Sequence, residues 1–282
     1  MQIKFTKLCG AGNDFVLLDA RDGGIDLQTL PSLAQRLCER HFSVGADGML
    51  VLVPPTQGGD CKILFFNNDG SAAEMCGNGA RCVCRYCHDR GISGETQRIE
   101  TTAGIVVGQR IRENLYRIQL NSPSVIELQK QASAVCDYLE LGDPGIPHAV
   151  VETDLSGERE KLRGFARSLR YDPAFPRGAN VNLCQVIGED EVRLMTYERG
   201  VEDFTLACGT GAGSLAAVLT ASGRMDGANV QVQTAGGDLD VEVEMEAGRV
   251  ENLYLTGAAL IVYSGELAEE FLQPVVIEDI MD

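Results

Sequence analysis

The sequence has no tryptophan, three histidines and five lysines among 282 residues. Each scarcity removes a class of chemistry. His41, His88 and His148 lie far apart, so a zinc site would have to be built mainly from cysteine. Lys4, Lys7, Lys62, Lys130 and Lys161 all stand outside the glycine-rich motifs, so pyridoxal phosphate has no obvious Schiff-base anchor. Basic residues are few: 24 Lys and Arg face 41 Asp and Glu, a net charge of −17. An acidic chain is a poor polyanion binder, and nucleic acid is not expected as a partner. No apolar run reaches the roughly 18 residues that a membrane span needs. Residues 1–15 lack the apolar core of a signal peptide. No membrane partner is expected, the expected location is cytoplasmic, and there the ten cysteines should be free thiols.

The remaining composition is ordinary for a globular chain, 44% hydrophobic and 23% charged, at a length comfortable for two compact domains. Alternating or apolar runs predict strands over residues 3–7, 15–19, 49–53 and 61–66. Residues 29–41 read as an amphipathic helix, and a second helix follows Gly79 to about position 90. Residues 96–120 read as a meander with turns at Gly104 and Asn114. Asn121-Ser122-Pro123 punctuates the chain as a candidate boundary. Beyond it strands are expected over 135–141, 148–153, 181–187, 191–198, 230–233, 239–245 and 252–263. Helices are expected over 157–169 and 209–222. Many strands with few crossover helices favour mixed or antiparallel sheets over a Rossmann layout.

The two halves echo one another. Cys76-Gly77-Asn78-Gly79-Ala80 in the first returns as Cys208-Gly209-Thr210-Gly211-Ala212 in the second, each ahead of an apolar helix. A cysteine just before a helix sees the positive helix end and unpaired N–H groups. Both favour thiolate, so each thiol pKa is expected to fall below about 8.5. Glycines beside it let a ligand approach bare backbone, making an anion-binding nest. Two such motifs across a cleft form a thiolate and a thiol. Together they can take a proton from one face of a carbon acid and return one to the other. Helix ends would stabilise the charge that grows on the substrate carboxylate. No cofactor is required. Glu198-Arg199, shortly before Cys208, offers a carboxylate for an ammonium and a guanidinium for a carboxylate. Asn13, Asn67 and Asn180 are further polar groups at loop-like places.

Taken together, Gly12-Asn13-Asp14-Phe15, Phe66-Asn67-Asn68-Asp69-Gly70-Ser71, Met75-Cys76-Gly77-Asn78-Gly79-Ala80-Arg81-Cys82, Tyr197-Glu198-Arg199-Gly200 and Ala207-Cys208-Gly209-Thr210-Gly211 resemble the diaminopimelate epimerase family, in its order and spacing over essentially the whole chain. The resemblance implies an α/β (α+β) fold of two similar, pseudo-twofold-related domains, each a strongly bent, mostly antiparallel or mixed sheet wrapped around a central helix. The domains would be residues 1–121 with the returning tail 264–282, and residues 122–263. The implied activity is cofactor-independent interconversion of LL- and meso-diaminopimelate, in lysine and peptidoglycan precursor biosynthesis, by a homodimer. Cys76 and Cys208 match the catalytic cysteines, and His148 matches a histidine that tunes the thiols. Glu198 joins these catalytic positions and also matches a substrate-binding one, with Asn13, Asn67, Gly77, Asn78, Asn180, Arg199, Gly209 and Thr210. The chain departs from many relatives at Ile146, where they carry asparagine before Pro-His, and at Gly178-Ala179, where they carry Arg-Val. At Gly48 some carry glutamine. These departures bear on the far end of the substrate.

Two other readings compete. A pyridoxal-independent racemase of another amino acid keeps the chemistry and changes the substrate. Cys84-Arg85-Tyr86-Cys87-His88 matches a c-type haem pattern, and with Cys82 a zinc cluster. Gly10-Ala11-Gly12 has Phe15 where a nucleotide loop needs its third glycine. The acidic run 266–270 reads as a solvated helix face.

Overall fold

The computed structural model describes residues 3–73 and 76–272. Strands β1 (Lys4–Gly10) and β2 (Asn13–Asp19) form an antiparallel hairpin. Helix α1 (Leu30–Cys38) follows, with Pro31 in its first turn, where a missing N–H costs nothing. It leads into β3 (Gly48–Val53), parallel to β2 and wholly buried. A continuous apolar run is what a strand covered on both faces requires. Antiparallel to β3 runs β4 (Cys61–Asn67), with the two-residue β5 (Ala72–Ala73) folded back on it. Helix α2 (Gly77–Asp89) then crosses to β6 (Thr96–Thr101), parallel to β4, and β7 (Gly104–Arg112) and β8 (Leu115–Leu120) complete a meander.

The second half repeats this connectivity. After β9 (Pro123–Gln131), strands β10 (Val135–Leu141) and β11 (Ile146–Glu152) are an antiparallel pair. Helix α3 (Arg159–Arg170) leads to β12 (Asn180–Val186), parallel to β11, and β13 (Glu191–Tyr197) runs back along it. Helix α4 (Gly209–Ala221) crosses to β14 (Val230–Thr234), parallel to β13, followed by the meander β15 (Gly237–Glu246) and β16 (Arg249–Ala258). The order of parallel and antiparallel neighbours is therefore the same in each half. Strands β8 and β16 pair with one another and join the halves into one 17-stranded sheet. This is the mixed, bent-sheet α/β architecture expected from the sequence.

Each meander strand buries alternate residues, so the sheet wraps its apolar face around α2 and α4. Helix α4 is apolar on every side and buried from Gly211 to Thr220, as a helix enclosed by sheet must be. One core runs through both halves, from Leu8 and Phe15 to Leu253 and Leu255. Two satellite cores lie outside the sheet. Leu30, Leu33 and Leu37 of α1 cover Val16 and Met49, and Ala166 and Leu169 of α3 cover Ala149 and Val181.

Two local expectations are corrected. The single strand over 252–263 is two, β16 and β17 (Leu260–Glu266), because the Ala259 amide turns aside to donate to Asn114 O. Strand β17 then pairs with β1 of the first half. Leu267 and Phe271 beyond it, the latter in the short helix α5 (Glu269–Leu272), join the α1 core. Of the expected tail, residues 273–282 lie outside the described residues. Strand β9 begins at the candidate boundary itself. It escaped the sequence pattern because it is largely solvent-facing, with breaks in its pairing to β10 and Gln129 at positive φ.

Candidate active site

Cys76 and Cys208 occupy the same structural position. Each is the residue before a helix in extended backbone, with φ and ψ of −135° and 119° at Cys76 and −123° and 112° at Cys208. Each carbonyl accepts the first helical N–H, from Ala80 at 2.8 Å and from Ala212 at 2.9 Å. The two helix starts abut: a side-chain carbon at Gly209 would lie 3.8 Å from Gly77 Cα and 3.8 Å from Asn78 Oδ1, and 2.9 Å from Leu255 Cδ2. At Gly209 the tight neighbour is Leu255 of β16, whereas a side-chain carbon at Gly77 would meet nothing nearer than 3.4 Å.

The first thiol is held from the β1–β2 turn. Asn13 Nδ2 donates to Asp47 Oδ2 at 2.6 Å, which turns its Oδ1 toward Cys76, whose Sγ donates to it at 3.7 Å. Asn78 Nδ2 lies 3.5 Å from the same oxygen. The second thiol accepts from the Gly211 amide at 3.4 Å and lies 3.4 Å from Thr210 Oγ1. Beneath it runs a buried relay. Thr196 Oγ1 donates to Asn182 Oδ1 at 2.9 Å, and Asn182 Nδ2 donates to His148 Nδ1 at 3.1 Å. A side-chain carbon at Gly211 would fall 2.5 Å from Asn182 Oδ1 and 2.8 Å from Thr196 Oγ1, so only glycine lets α4 settle on this relay.

The relay fixes His148. Its Nδ1 accepts, so the neutral ring carries its proton on Nε2, a buried donor without a partner among the described residues. Complete burial and the nearby Arg199 cation pull its pKa to about 3. The ring is neutral across the physiological range and offers an N–H rather than a mobile proton.

Neither thiol has the lowered pKa expected from its motif. Burial pushes Cys76 up, against the Gly79 and Asn78 amides and Arg81, with the Glu198 carboxylate adding to the rise. Burial and Glu198 push Cys208 up to about 12, against Thr210 and the Gly211 amide. The helix ends act in the direction the sequence implied, and desolvation outweighs them. Glu198 stands near enough to both sulfurs to oppose both thiolates, and its own carboxyl is raised by burial.

The other expected residues divide. Asn180, nearly fully buried, accepts the Arg199 amide on Oδ1 at 2.8 Å and pairs in register with His148 across β11 and β12. Arg199 turns its guanidinium outward to Arg177 O at 3.1 Å. Asn67, at the end of β4, donates to Ser71 Oγ at 3.0 Å, and among the described residues no hydrogen bond joins it to either sulfur. Asp47, Asn182 and Thr196 were not singled out by the sequence. Asn182 and Thr196 read there as ordinary core positions of apolar strands, and only the pairing of β12 with β13 sets them opposite one another.

The departures from relatives have steric counterparts. A side chain at Gly48 would meet Phe65 Cε2 at 2.6 Å, and one at Gly178 would meet the Arg170 guanidinium carbon at 3.0 Å. The haem or zinc reading loses its geometry. Cys84 and Cys87 are fully buried, with Cys87 Sγ 3.4 Å from Cys61 Sγ. His88 faces Asp89 and Glu95. No three metal-ligating side chains converge among the described residues.

The diaminopimelate epimerase family model matches residues 5–123 and 142–262. The chain belongs to this family. A diaminopimelate epimerase of Archaeoglobus fulgidus is 39% identical over 281 residues, spanning 95% of this chain and 97% of that relative. One from Aquifex aeolicus is 37% identical over 285 residues, spanning 96% of this chain and all of the relative. Among solved structures, a PhzF-family phenazine biosynthesis protein of Bacillus anthracis superposes with a TM-score of 0.74 at 14% identity, covering 95% of this chain and 99% of that one. A probable proline racemase of Agrobacterium radiobacter K84 gives 0.72 at 17%, covering 96% and 94%. At such identities these two likenesses concern the fold alone. The family match takes in the paired Cys-Gly helix starts, and the gap in it, residues 124–141, takes in most of β9 and all of β10.

Proposed function

We propose that the protein is an isomerase that epimerises LL-2,6-diaminopimelate to meso-diaminopimelate by a two-thiol mechanism, in lysine and peptidoglycan precursor biosynthesis. The observation that carries this reading is the pair of equivalent cysteines at two abutting helix starts. One sulfur, as thiolate, takes the α-proton: the C–H bond breaks and an S–H bond forms. The other thiol gives its proton to the opposite face, its S–H breaking as the new C–H forms. The thiols end with their protonation exchanged, which suits the reverse reaction. Charge grows on the substrate carboxylate as the α-proton leaves, and the amides at the starts of α2 and α4 stabilise it.

Burial supplies a reason for the raised thiol pKa values. Glu198 opposes both thiolates, and a substrate ammonium placed against it would remove that opposition at the moment a base is needed. Asn13, Asn78 and Thr210 border the sulfurs, and Asn180 fixes the backbone of Arg199. In this reading Asn13, Asn67, Asn78, Asn180, Thr210, Arg199 and the amides of Gly77 and Gly209 hold the substrate, while the Nε2–H of His148 serves as a fixed donor beside the chemistry. No cofactor enters the scheme. The working unit is a cytoplasmic homodimer. Strand β17, paired on one side by β1 and bearing exposed Leu260, Val262 and Tyr263, is the surface offered for the second copy. The domains are residues 1–121 with 264–282, and residues 122–263.

Ile146 favours a second reading, a racemase of a smaller amino acid, because it places an apolar side chain at the start of β11 where many relatives have an amide. A substrate panel separates the two. Reduced protein is incubated with LL-diaminopimelate, proline, 4-hydroxyproline, histidine and lysine, and stereoisomers are resolved by chiral chromatography. Conversion of diaminopimelate at least about 100-fold faster than any other substrate is expected, since a site built for a second amino-acid end loses heavily when its polar groups go unpaired. Faster conversion of proline or another monoamino acid overturns the diaminopimelate assignment and keeps the thiol chemistry.

A further inference from the structure

Arg81, five residues beyond Cys76 on α2, is completely buried. Its Nη2 donates to Asn78 Oδ1 at 2.8 Å, whereas Nε and Nη1 have no hydrogen-bond partner among the described residues. Its guanidinium reaches the second half of the sheet. A side-chain carbon at Gly257 on β16 would lie 3.1 Å from both Cζ and Nε, so the glycine leaves the space it fills. Among the described residues the titratable groups it faces are thiols, Cys82, Cys76 and Cys84. A buried cation without a carboxylate is costly and persists where its charge is used. The second motif has no equivalent. When Cys76-Gly77-Asn78-Gly79-Ala80-Arg81 is laid over Cys208-Gly209-Thr210-Gly211-Ala212-Gly213, glycine stands in the place of the arginine, and a side chain there would strike Leu120. The duplicated site is electrostatically unequal at this position.

Resting on the two-thiol reading, we infer that Arg81 is the positioning residue that makes Cys76 the more readily ionised of the two thiols, with Cys208 the later to give up its proton. Its cation supplies the counter-charge for the Cys76 sulfur, and its bond to Asn78 holds that carboxamide beside Asn13, the Cys76 partner. Cys76 releases its proton to water, and no other reactant is needed. Groups from other elements face the same centre: Glu198 beyond β13 opposes a thiolate at Cys76, and Cys208 at the head of α4 competes for the single negative charge. Cys9 on β1 and Arg85 on α2 face Cys82 rather than Cys76. Arg81 also favours the Cys76 thiolate electrostatically.

Iodoacetamide alkylation measured against pH, with Cys76 and Cys208 peptides quantified separately by mass spectrometry, reads thiol ionisation without substrate. In the native, reduced protein Cys76 should react at lower pH than Cys208. Arg81→Met should raise the Cys76 midpoint by about one pH unit or more and move that of Cys208 less, while Arg81→Lys should restore most of the difference. Gly257→Ala, which displaces the guanidinium without removing it, should raise the Cys76 midpoint in the same direction and gives the answer if Arg81→Met does not fold. A Cys76 profile unchanged in folded Arg81→Met or Gly257→Ala overturns the inference, as does an equal shift of both thiols. Unequal thiol profiles in a native protein that fails to convert diaminopimelate would remove the function assigned above and leave the role of Arg81 standing. Conversion by a native protein with equal profiles would do the reverse.

Discussion

Cys76→Ala and Cys208→Ala are each expected to lower conversion of LL- to meso-diaminopimelate by about 10³-fold or more. Inversion needs a base on one face and an acid on the other, and the two sulfurs are the groups placed for those tasks at the abutting starts of α2 and α4. Both positions tolerate alanine structurally. Each backbone is extended, and the helical bonds from Ala80 and Ala212 go to main-chain carbonyls that alanine keeps. Cys208→Ala gives up the sulfur's bonds to the Gly211 amide and Thr210 Oγ1, and Cys76→Ala the one to Asn13 Oδ1, small losses of stability. Both variants should therefore unfold at nearly the native temperature while losing turnover. A single mutant that keeps more than about a tenth of native turnover would contradict a two-thiol inversion. Thermal unfolding and chiral chromatography on the same preparations check the prediction.

Gly236→Ala is expected to cost about 10²-fold in turnover with the fold retained, although the residue lies in a turn and bears no chemical group. The hairpin between β14 and β15 rests backbone to backbone on the turn between β1 and β2. A side-chain carbon at Gly236 would overlap Ala11 O and lie 2.7 Å from Ala11 C, and one at Gly12 would lie 2.9 Å from Gly236 Cα. Gly236 is not among the residues of positive φ, so the cost of alanine comes from this contact and not from backbone preference. The β1–β2 turn has to move, and the next residue along is Asn13, whose carboxamide joins Asp47 to Cys76. Gly164→Ala, in open space on α3, is the control and should leave turnover unchanged. Native kinetics in Gly236→Ala would show that the placement of Asn13 does not depend on this contact.

The parts of the site legible in the sequence were those whose chemistry is local. A cysteine followed by Gly-x-Gly-Ala announces an extended residue ahead of a helix, and its recurrence announced the duplicated connectivity. The scarcity of histidine and lysine supported thiol chemistry without a pyridoxal anchor. What was not legible depends on contacts between distant elements. Asn182 looks like one polar residue in an apolar strand until β12 pairs with β13 and sets it opposite Thr196. Asp47 looks like a loop residue until it receives Asn13 Nδ2. The thiol pKa values were read from helix ends alone. The sequence holds no sign of the enclosure that pushes both upward, nor that Glu198 would stand near both sulfurs while Arg199 turned away to Arg177 O. Strand β9 was missed because period-two burial is the signal for a strand, and a largely solvent-facing strand has little of it.

The most direct measurement is the fate of hydrogen when LL-diaminopimelate is turned over in deuterium oxide and sampled before equilibrium. With a base on one face and a separate acid on the other, early meso product should carry one deuterium at the inverted α-carbon, while unreacted LL substrate stays largely unlabelled. Meso product that retains the original α-hydrogen, or LL substrate that takes up deuterium as fast as product forms, would mean that one group serves both faces, and would contradict inversion by Cys76 and Cys208 acting as a pair.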